Sequence, residues 1–319
     1  MALGEAPFFD AMGEDYDVLE PWYEHLYAAL HEIVREALPS VGSAPAERRA
    51  APPGAAGATD ATGGEARGGR LRALDAGCGT GFLAAWLAEL GYVVHGVDRA
   101  GRLLAVARRR GRVPTPIRAD LLALPFPEAT FEVATCCGST LSLVLGTATA
   151  LRELSRVLVP GGRLLLEVEH RPSLDLGWAL LSGLMGDPLR YGLSSRQAAA
   201  LLRAGHRVEC WTPYPGYPPL RLFTGTELTG LLHAAGLAAR RAWGLHTVTS
   251  LLPSTVLHRP RLSRTLAMVY GLLRRLDRRL SGSAVSRALG NSLVVLAVRT
   301  APLTTRSSEA FAAAGRVLG

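Results

Sequence analysis

Short apolar runs alternate with stretches of helical spacing from residue 71 onward. LRALDAG (71–77), YVVHGVD (92–98), PIRAD (116–120), FEVATCC (131–137) and RLLLEVE (163–169) have strand length. Between them, Phe82–Leu90, Leu103–Arg110 and Ala148–Leu158 repeat their apolar positions with a helical period, and PGG (160–162) ends the last of these. Two more strands are expected near 238–243 and at NSLVVLAVR (291–299). Such alternation requires crossover connections. The expected fold is therefore α/β, a doubly wound, mostly parallel, seven-stranded sheet with helices on both faces.

The flanking segments read differently. Residues 8–38 predict one helix, with Trp22, Leu26, Ala29, Leu30, Ile33 and Leu38 at helical spacing and Pro39 as its stop. Residues 40–69 are mostly small and polar, without periodicity, and predict a flexible linker. Residues 170–222 interrupt the α/β rhythm with two predicted helices (174–184 and 194–203) and the stretch WTPYPGYPPL (211–220), an inserted cap. Thr224 and Glu227 form a predicted capping box opening a helix to Ala235, which Gly236 closes. The division expected is an N-terminal helical segment (1–39), the linker, a main domain (70–300) and a tail (301–319).

A last helix, 262–280, places Leu262, Leu266, Val269, Leu273, Leu276 and Leu280 on one face, flanked by Arg264, Arg274, Arg275, Arg278 and Arg279. Two readings stay open: a helix packed on the sheet or a partner, or an interfacial helix resting on anionic lipid. The second would make a cytoplasmic protein peripheral to a membrane. The oligomeric state is not legible.

Composition narrows the class. Apolar residues are 48% and charged residues 19%, enough for a sizeable core and against wholesale disorder. The net charge of +8 comes entirely from arginine, and 256–300 alone holds nine arginines against one acid, Asp277. Charge confined to one segment is unlike a nucleic-acid coat, so no nucleic-acid partner is expected. Four cysteines, two of them adjacent (Cys136, Cys137), offer neither a disulfide framework nor a CxxC zinc site; no metal is expected, and a reducing cytoplasm fits best. The acidic N-terminal stretch lacks a signal-peptide pattern, and the uncharged run 133–151 reads as a strand and loop rather than a membrane span.

The chemistry concentrates in LDAGCGTG (74–81), at the end of the first predicted strand. Gly77, Gly79 and Gly81 permit a left-handed bend and close approach of a ligand to the backbone. The following helix aims its amino end at the same spot. A dinucleotide fingerprint needs glycine at the sixth position from Gly77, where Phe82 stands, so that ligand is disfavoured.

The GxGxG spacing, with Asp75 two residues ahead, resembles the class I S-adenosylmethionine-dependent methyltransferases of small molecules, which have a Rossmann-like fold. ALPFPEATFEVATC (123–136) and LRELSRVLVPGGRLLLEVE (151–169) also resemble that family, with Glu132 where Asp is commoner. The resemblance covers mainly 71–170. It implies S-adenosylmethionine as cofactor. Asp75, Gly77, Cys78, Gly79 and Gly81 would then surround it. Asp98 and Arg99, at the end of the second strand, would lie at its ribose, and Asp98 would accept the ribose hydroxyls. Asp120 and Leu121 would meet its adenine, Cys136 would line the pocket, and Tyr16 would close over it from the N-terminal segment.

The acceptor expected is a small, fairly apolar organic molecule such as a quinone, lipid or secondary metabolite, methylated by in-line displacement. His170 is the first candidate for a base or acceptor contact, so its replacement should lower turnover. Tyr214, Tyr217 and His246 are further candidates. A nucleic-acid methyltransferase is the first alternative, but the fourth strand ends ATCCGST rather than in the Asn/Asp-Pro-Pro-aromatic pattern of amino-methylating relatives. A non-catalytic cofactor-binding protein of the same fold is the second.

Overall fold

Strands that are apolar on both faces need helices on both faces, and that is how the chain is arranged. The computed structural model describes residues 6–17, 21–41, 71–204, 210–211, 218, 220–259 and 261–300. The predicted linker beyond residue 41, the tail 301–319, Tyr214 and Tyr217 lie outside the described residues.

Seven strands form the main sheet: β1 Arg72–Ala76, β2 Val93–Asp98, β3 Pro116–Arg118, β4 Phe131–Cys136, β5 Leu158–Glu169, β6 Leu237–Leu245 and β7 Ser292–Arg299. Their order is β3-β2-β1-β4-β5-β7-β6. The first five are parallel, and β7 runs antiparallel to both β5 and β6. Successive residues of one strand feed opposite cores: Val133 and Leu165 face one side, Ala134, Leu164 and Leu166 the other.

The first core is covered by α2 (Pro21–Ala37), α3 (Phe82–Glu89) and α4 (Gly101–Arg109), through Leu30, Val34, Leu83, Leu87 and Ala107. The second is covered by α6 (Thr147–Val157) and α9 (Gly225–Ala234), through Leu151, Leu154, Leu228 and Leu232. The strand order reverses between β1 and β4, which opens a crevice beyond their carboxyl ends.

Four expectations need correction. The N-terminal helix is two, α1 (Ala6–Met12) and α2, separated by a 3-10 turn at Gly13–Asp17 where Gly13 takes a positive φ of 53°. PGG does not separate a helix from a strand. β5 already begins at Leu158, opposite Phe131, and the glycines form a bulge before Arg163 pairs with Val133. Thr224 caps α9 by accepting from the Glu227 amide at 3.2 Å, but Glu227 does not complete the box. Its carboxylate binds Arg221 at 2.6 Å and Arg171 at 3.3 Å, because two guanidinium groups outcompete one amide.

The fourth correction concerns the basic helix, α11 (Arg264–Leu280), which lies with α10 (Ser254–Leu257) and α12 (Ala284–Leu289) in the connection from β6 to β7. Its buried residues are Tyr270 and Asp277, not the predicted leucine stripe. Leu262, Leu266, Leu273 and Leu280 are half-buried, while Val269 and Leu276 stand in solvent. Polar bonds decide this rotation. Tyr270 donates its hydroxyl to the Pro21 carbonyl at 2.9 Å, and Asp277 accepts from the amides of His246, Thr247 and Val248.

The inserted segment holds α7 (Leu174–Leu184), α8 (Ser195–Ala204) and a two-stranded ribbon, 210–211 with 220–221. It has a small core of its own around Ala179, Tyr191, Leu193 and Leu222.

Candidate active site

β1 ends in a bend that only glycine takes without strain. Gly77 has φ +76° and Gly79 φ +51°. A methyl on Gly77 would lie 2.3 Å from Thr140 Cγ2, whereas one on Gly79 would point toward the ring of Tyr16 at 3.6 Å. Gly77 therefore serves close packing, and Gly79 leaves backbone facing a cleft. The amides of Gly77 and Cys78 bond to the Val97 carbonyl at 2.8 and 3.0 Å, which ties the bend to the end of β2.

The cleft encloses about 630 Å³ of empty space, counting solvent at its mouth. Its polar wall is Gly77, Gly79, Asp98, Arg99 and Asp120; its apolar wall includes Phe9, Tyr16, Leu103, Leu121, Leu143 and Val144. Gly138, after β4, also lines it, with φ +73°.

Asp98 organises the polar side. Its two oxygens accept from the Gly79 and Ala100 amides, each at 2.8 Å. Burial raises its pKa and those amides oppose the rise. A carboxylate has about four lone-pair sites, so acceptor capacity remains toward the cleft. Asp120 lies across the cleft, more exposed, accepting from the Leu122 amide at 2.9 Å with Arg99 at 3.8 Å.

Asp75 sits behind the bend, 2% exposed. One oxygen accepts from the Thr135 hydroxyl at 2.8 Å. Burial pushes its carboxyl up to about 7. The Ala84 amide also bears on this carboxylate, which lies behind the cleft and is not part of its lining.

The N-terminal segment closes one side through two acids. Asp10 accepts from the Arg102 amide at 2.8 Å, at the start of α4. Asp17 accepts from the Thr80 hydroxyl at 2.5 Å and pairs with Arg112 at 2.7 Å and with Arg110. Next to these anchors in the chain, Phe9 and Tyr16 are laid against the cleft.

Several sequence candidates lie elsewhere. Cys78 contributes backbone to the bend but is buried in the first core. Cys136 is fully buried in the second core and does not line the cleft. Burial raises both thiols well above the ordinary value, which removes them as nucleophiles. Gly81 packs against Arg112 and Val113 rather than the cleft.

His170 is 4% exposed, with Nδ1 2.9 Å from the Gly290 carbonyl, and burial lowers its pKa. It follows β5 directly, but its ring is committed to the loop before β7. His246 is fully buried, stacked on Trp22 at 3.7 Å, with Nδ1 3.2 Å from the Thr249 hydroxyl. Burial, then the neighbouring His25, depress its pKa far below the ordinary value. Neither histidine is among the residues lining the cleft.

Sequence reasoning missed the wall after β4. Ser139 stands between Gly138 and Thr140, both cleft residues, and is held from behind by two acids, buried Glu167 and half-buried Glu169. Glu167 accepts its amide at 2.6 Å and Glu169 its hydroxyl at 2.7 Å. Burial, and then the charge of Glu167, push the Glu169 carboxyl up to about 8. The missed signal is Gly138, which follows β4 as Gly77 follows β1.

A glycine bend after β1, a carboxylate after β2 and an antiparallel final strand in this order mark the class I S-adenosylmethionine-dependent methyltransferases. Residues 74–166 match the family described as a methyltransferase domain.

The chain is 42% identical over 111 residues to 2-phytyl-1,4-naphtoquinone methyltransferase of Synechococcus elongatus, covering 32% of this chain and 47% of that protein. It is 37% identical over 109 residues to malonyl-[acyl-carrier protein] O-methyltransferase of Erwinia pyrifoliae, covering 34% and 40%. The chain thus spans under half the length of these curated relatives. A chain in the complex of the Haloferax volcanii Trm112 methyltransferase activator with a methyltransferase shares the fold, with a TM-score of 0.51 and 15% identity over 92% of this chain and 98% of that one.

Proposed function

We propose that the protein transfers a methyl group from S-adenosylmethionine to a small, apolar organic acceptor in the cytoplasm. The observation that carries this reading is Asp98, which braces the left-handed bend at Gly79 while facing the cleft. When bound, the cofactor supplies a methyl group on a sulfonium centre, reactive enough for direct displacement.

The chain's own residues would do the rest. Asp98 would take the ribose hydroxyls, with Arg99 beside it. Asp120 and the backbone at Leu121 would meet the base. The Gly77–Gly79 backbone would hold the amino-acid end, with Asp75 behind it. Tyr16 and Phe9 would exclude water from one side. Positioning of this kind can lower a barrier by roughly 7–11 kcal/mol without a base.

Leu143 and Val144 of the cleft wall support an apolar acceptor, and one relative is named for a naphthoquinone. The other is named for a carrier-bound malonyl group, so the shared stretch does not select the acceptor. Calorimetric titration with S-adenosylmethionine should show one site per chain, with NAD failing to compete. Labelled methyl should then pass to a reduced naphthoquinone in preference to a polar amine. Absence of cofactor binding would end the proposal.

A further inference from the structure

Helix α11 turns Tyr270 and Asp277 to the protein, with Leu266, Leu273 and Leu280 half-buried beside them, and leaves a second apolar face in water. Tyr270 and Asp277, at 3% and 2% exposure, face inward. Met268 (71% exposed), Leu272 (67%), Leu276 (45%) and Val269 (41%) face outward. At 3.6 residues per turn these four fall within one sector of about 100°, the width of a complete apolar stripe.

The arginines are sorted as well. Arg274 and Arg278 lean onto Glu24 and Glu32 of α2, at 3.8 and 3.0 Å. Arg264, Arg275 and Arg279 are exposed and lie in or beside the apolar sector. Polar bonds thus consume one side of the helix and leave a cation-rimmed apolar face outside.

The rim and the centre of this face together select its occupant. Side chains as large as Met268 and Leu272 gain from a medium that removes them from water, which a phosphodiester backbone does not offer. Arginines around them favour an anionic surface and repel the same face of a second copy. We propose that α11 is an interfacial helix that seats the protein on an anionic lipid bilayer. Met268 and Leu272 enter the acyl boundary, and Arg264, Arg275 and Arg279 meet headgroup phosphates.

The inference stands apart from methyl transfer, and its readout uses none. Full-length protein should sediment with phosphatidylglycerol-containing vesicles and bind pure phosphatidylcholine vesicles about tenfold or more weakly. Met268→Glu with Leu272→Glu, and separately Arg275→Glu with Arg279→Glu, should each weaken anionic-vesicle binding by about tenfold or more. Both variants should keep the wild-type melting temperature, because the replaced side chains are largely exposed. No vesicle binding, equal binding to both vesicle types, or binding untouched by either variant overturns the proposal. So does a lowered melting temperature of the Met268/Leu272 variant, a concentration-dependent dimer that the same variants abolish, or binding of RNA or DNA in place of vesicles.

Discussion

Half-buried Asp98 and buried Asp277 are both carboxylates bonded by backbone amides, yet one lies in a site and the other in an anchor. Asp98 accepts from Gly79 and Ala100 and keeps a side open to the cleft. Asp277 accepts from the amides of His246, Thr247 and Val248, from the His25 ring at 2.8 Å and from the Thr249 hydroxyl at 3.4 Å. All its capacity is spent inside the protein, where it fastens α11 to α2 and to the end of β6. Strong hydrogen bonding and burial therefore do not identify a binding residue. Unspent capacity beside a cavity does.

Removing each carboxylate should separate the two roles. Asp277→Ala strands a group of buried donors and should cost about 3–5 kcal/mol. Its melting temperature should fall by about 10 °C in calorimetry, while the folded fraction binds S-adenosylmethionine with nearly unchanged affinity. A large loss of affinity would show that the anchor belongs to the site.

Asp98→Ala should do the reverse. Two charge-assisted ribose bonds lost predict about 100-fold weaker cofactor binding by titration, with a much smaller change in melting temperature. Retained affinity would place the nucleoside elsewhere. Gly77→Ala should act on both scales at once, because the left-handed backbone and the Thr140 contact each resist a methyl. About 2 kcal/mol of stability should go, and cofactor affinity with it.

The acids behind the cleft wall give a pH test. Burial and the charge of Glu167 hold the Glu169 carboxyl above the ordinary carboxylate range when folded, and unfolding returns it to that range. Between those two positions the folded state holds a proton that the unfolded state has released, so stability is present at low pH and lost as pH rises toward about 8. Asp75 contributes in the same direction up to about 7. Glu169→Gln removes one titrating group and should flatten the decline in a series of melts from pH 5 to pH 8. An unchanged slope would relieve Glu169 of this role. The smallest effect belongs to His170→Ala: its ring is turned to the Gly290 carbonyl, so turnover should stay within about twofold, with only about 1 kcal/mol of stability lost. A steep drop in turnover with cofactor affinity intact would return His170 to the mechanism.

The parts legible from residue order were the local ones. LDAGCGTG, the carboxylates after β2 and β3, and the alternation of strands and helices each lie within a few residues of what they build. Steric freedom at glycine and two-sided burial of strands act over that same short range. The direction of a side chain at a strand end does not. His170 and His246 follow β5 and β6 as a catalytic residue would, but Gly290 claims the first, and Trp22 and Thr249 claim the second. Phe9 reached the cleft only because Asp10 and Asp17 found donors on α4 and in the 80–112 region.

Helix α11 shows the division most sharply. Its spacing established an amphipathic, arginine-rich helix, but both of its sides offered something to bury. Which side faced inward was decided by His25 and the 246–248 amides, because a buried carboxylate needs several donors at once. Only the folded chain brings residues 25, 246–249 and 277 together, and satisfying that carboxylate outweighs the gain from covering Met268 and Leu272.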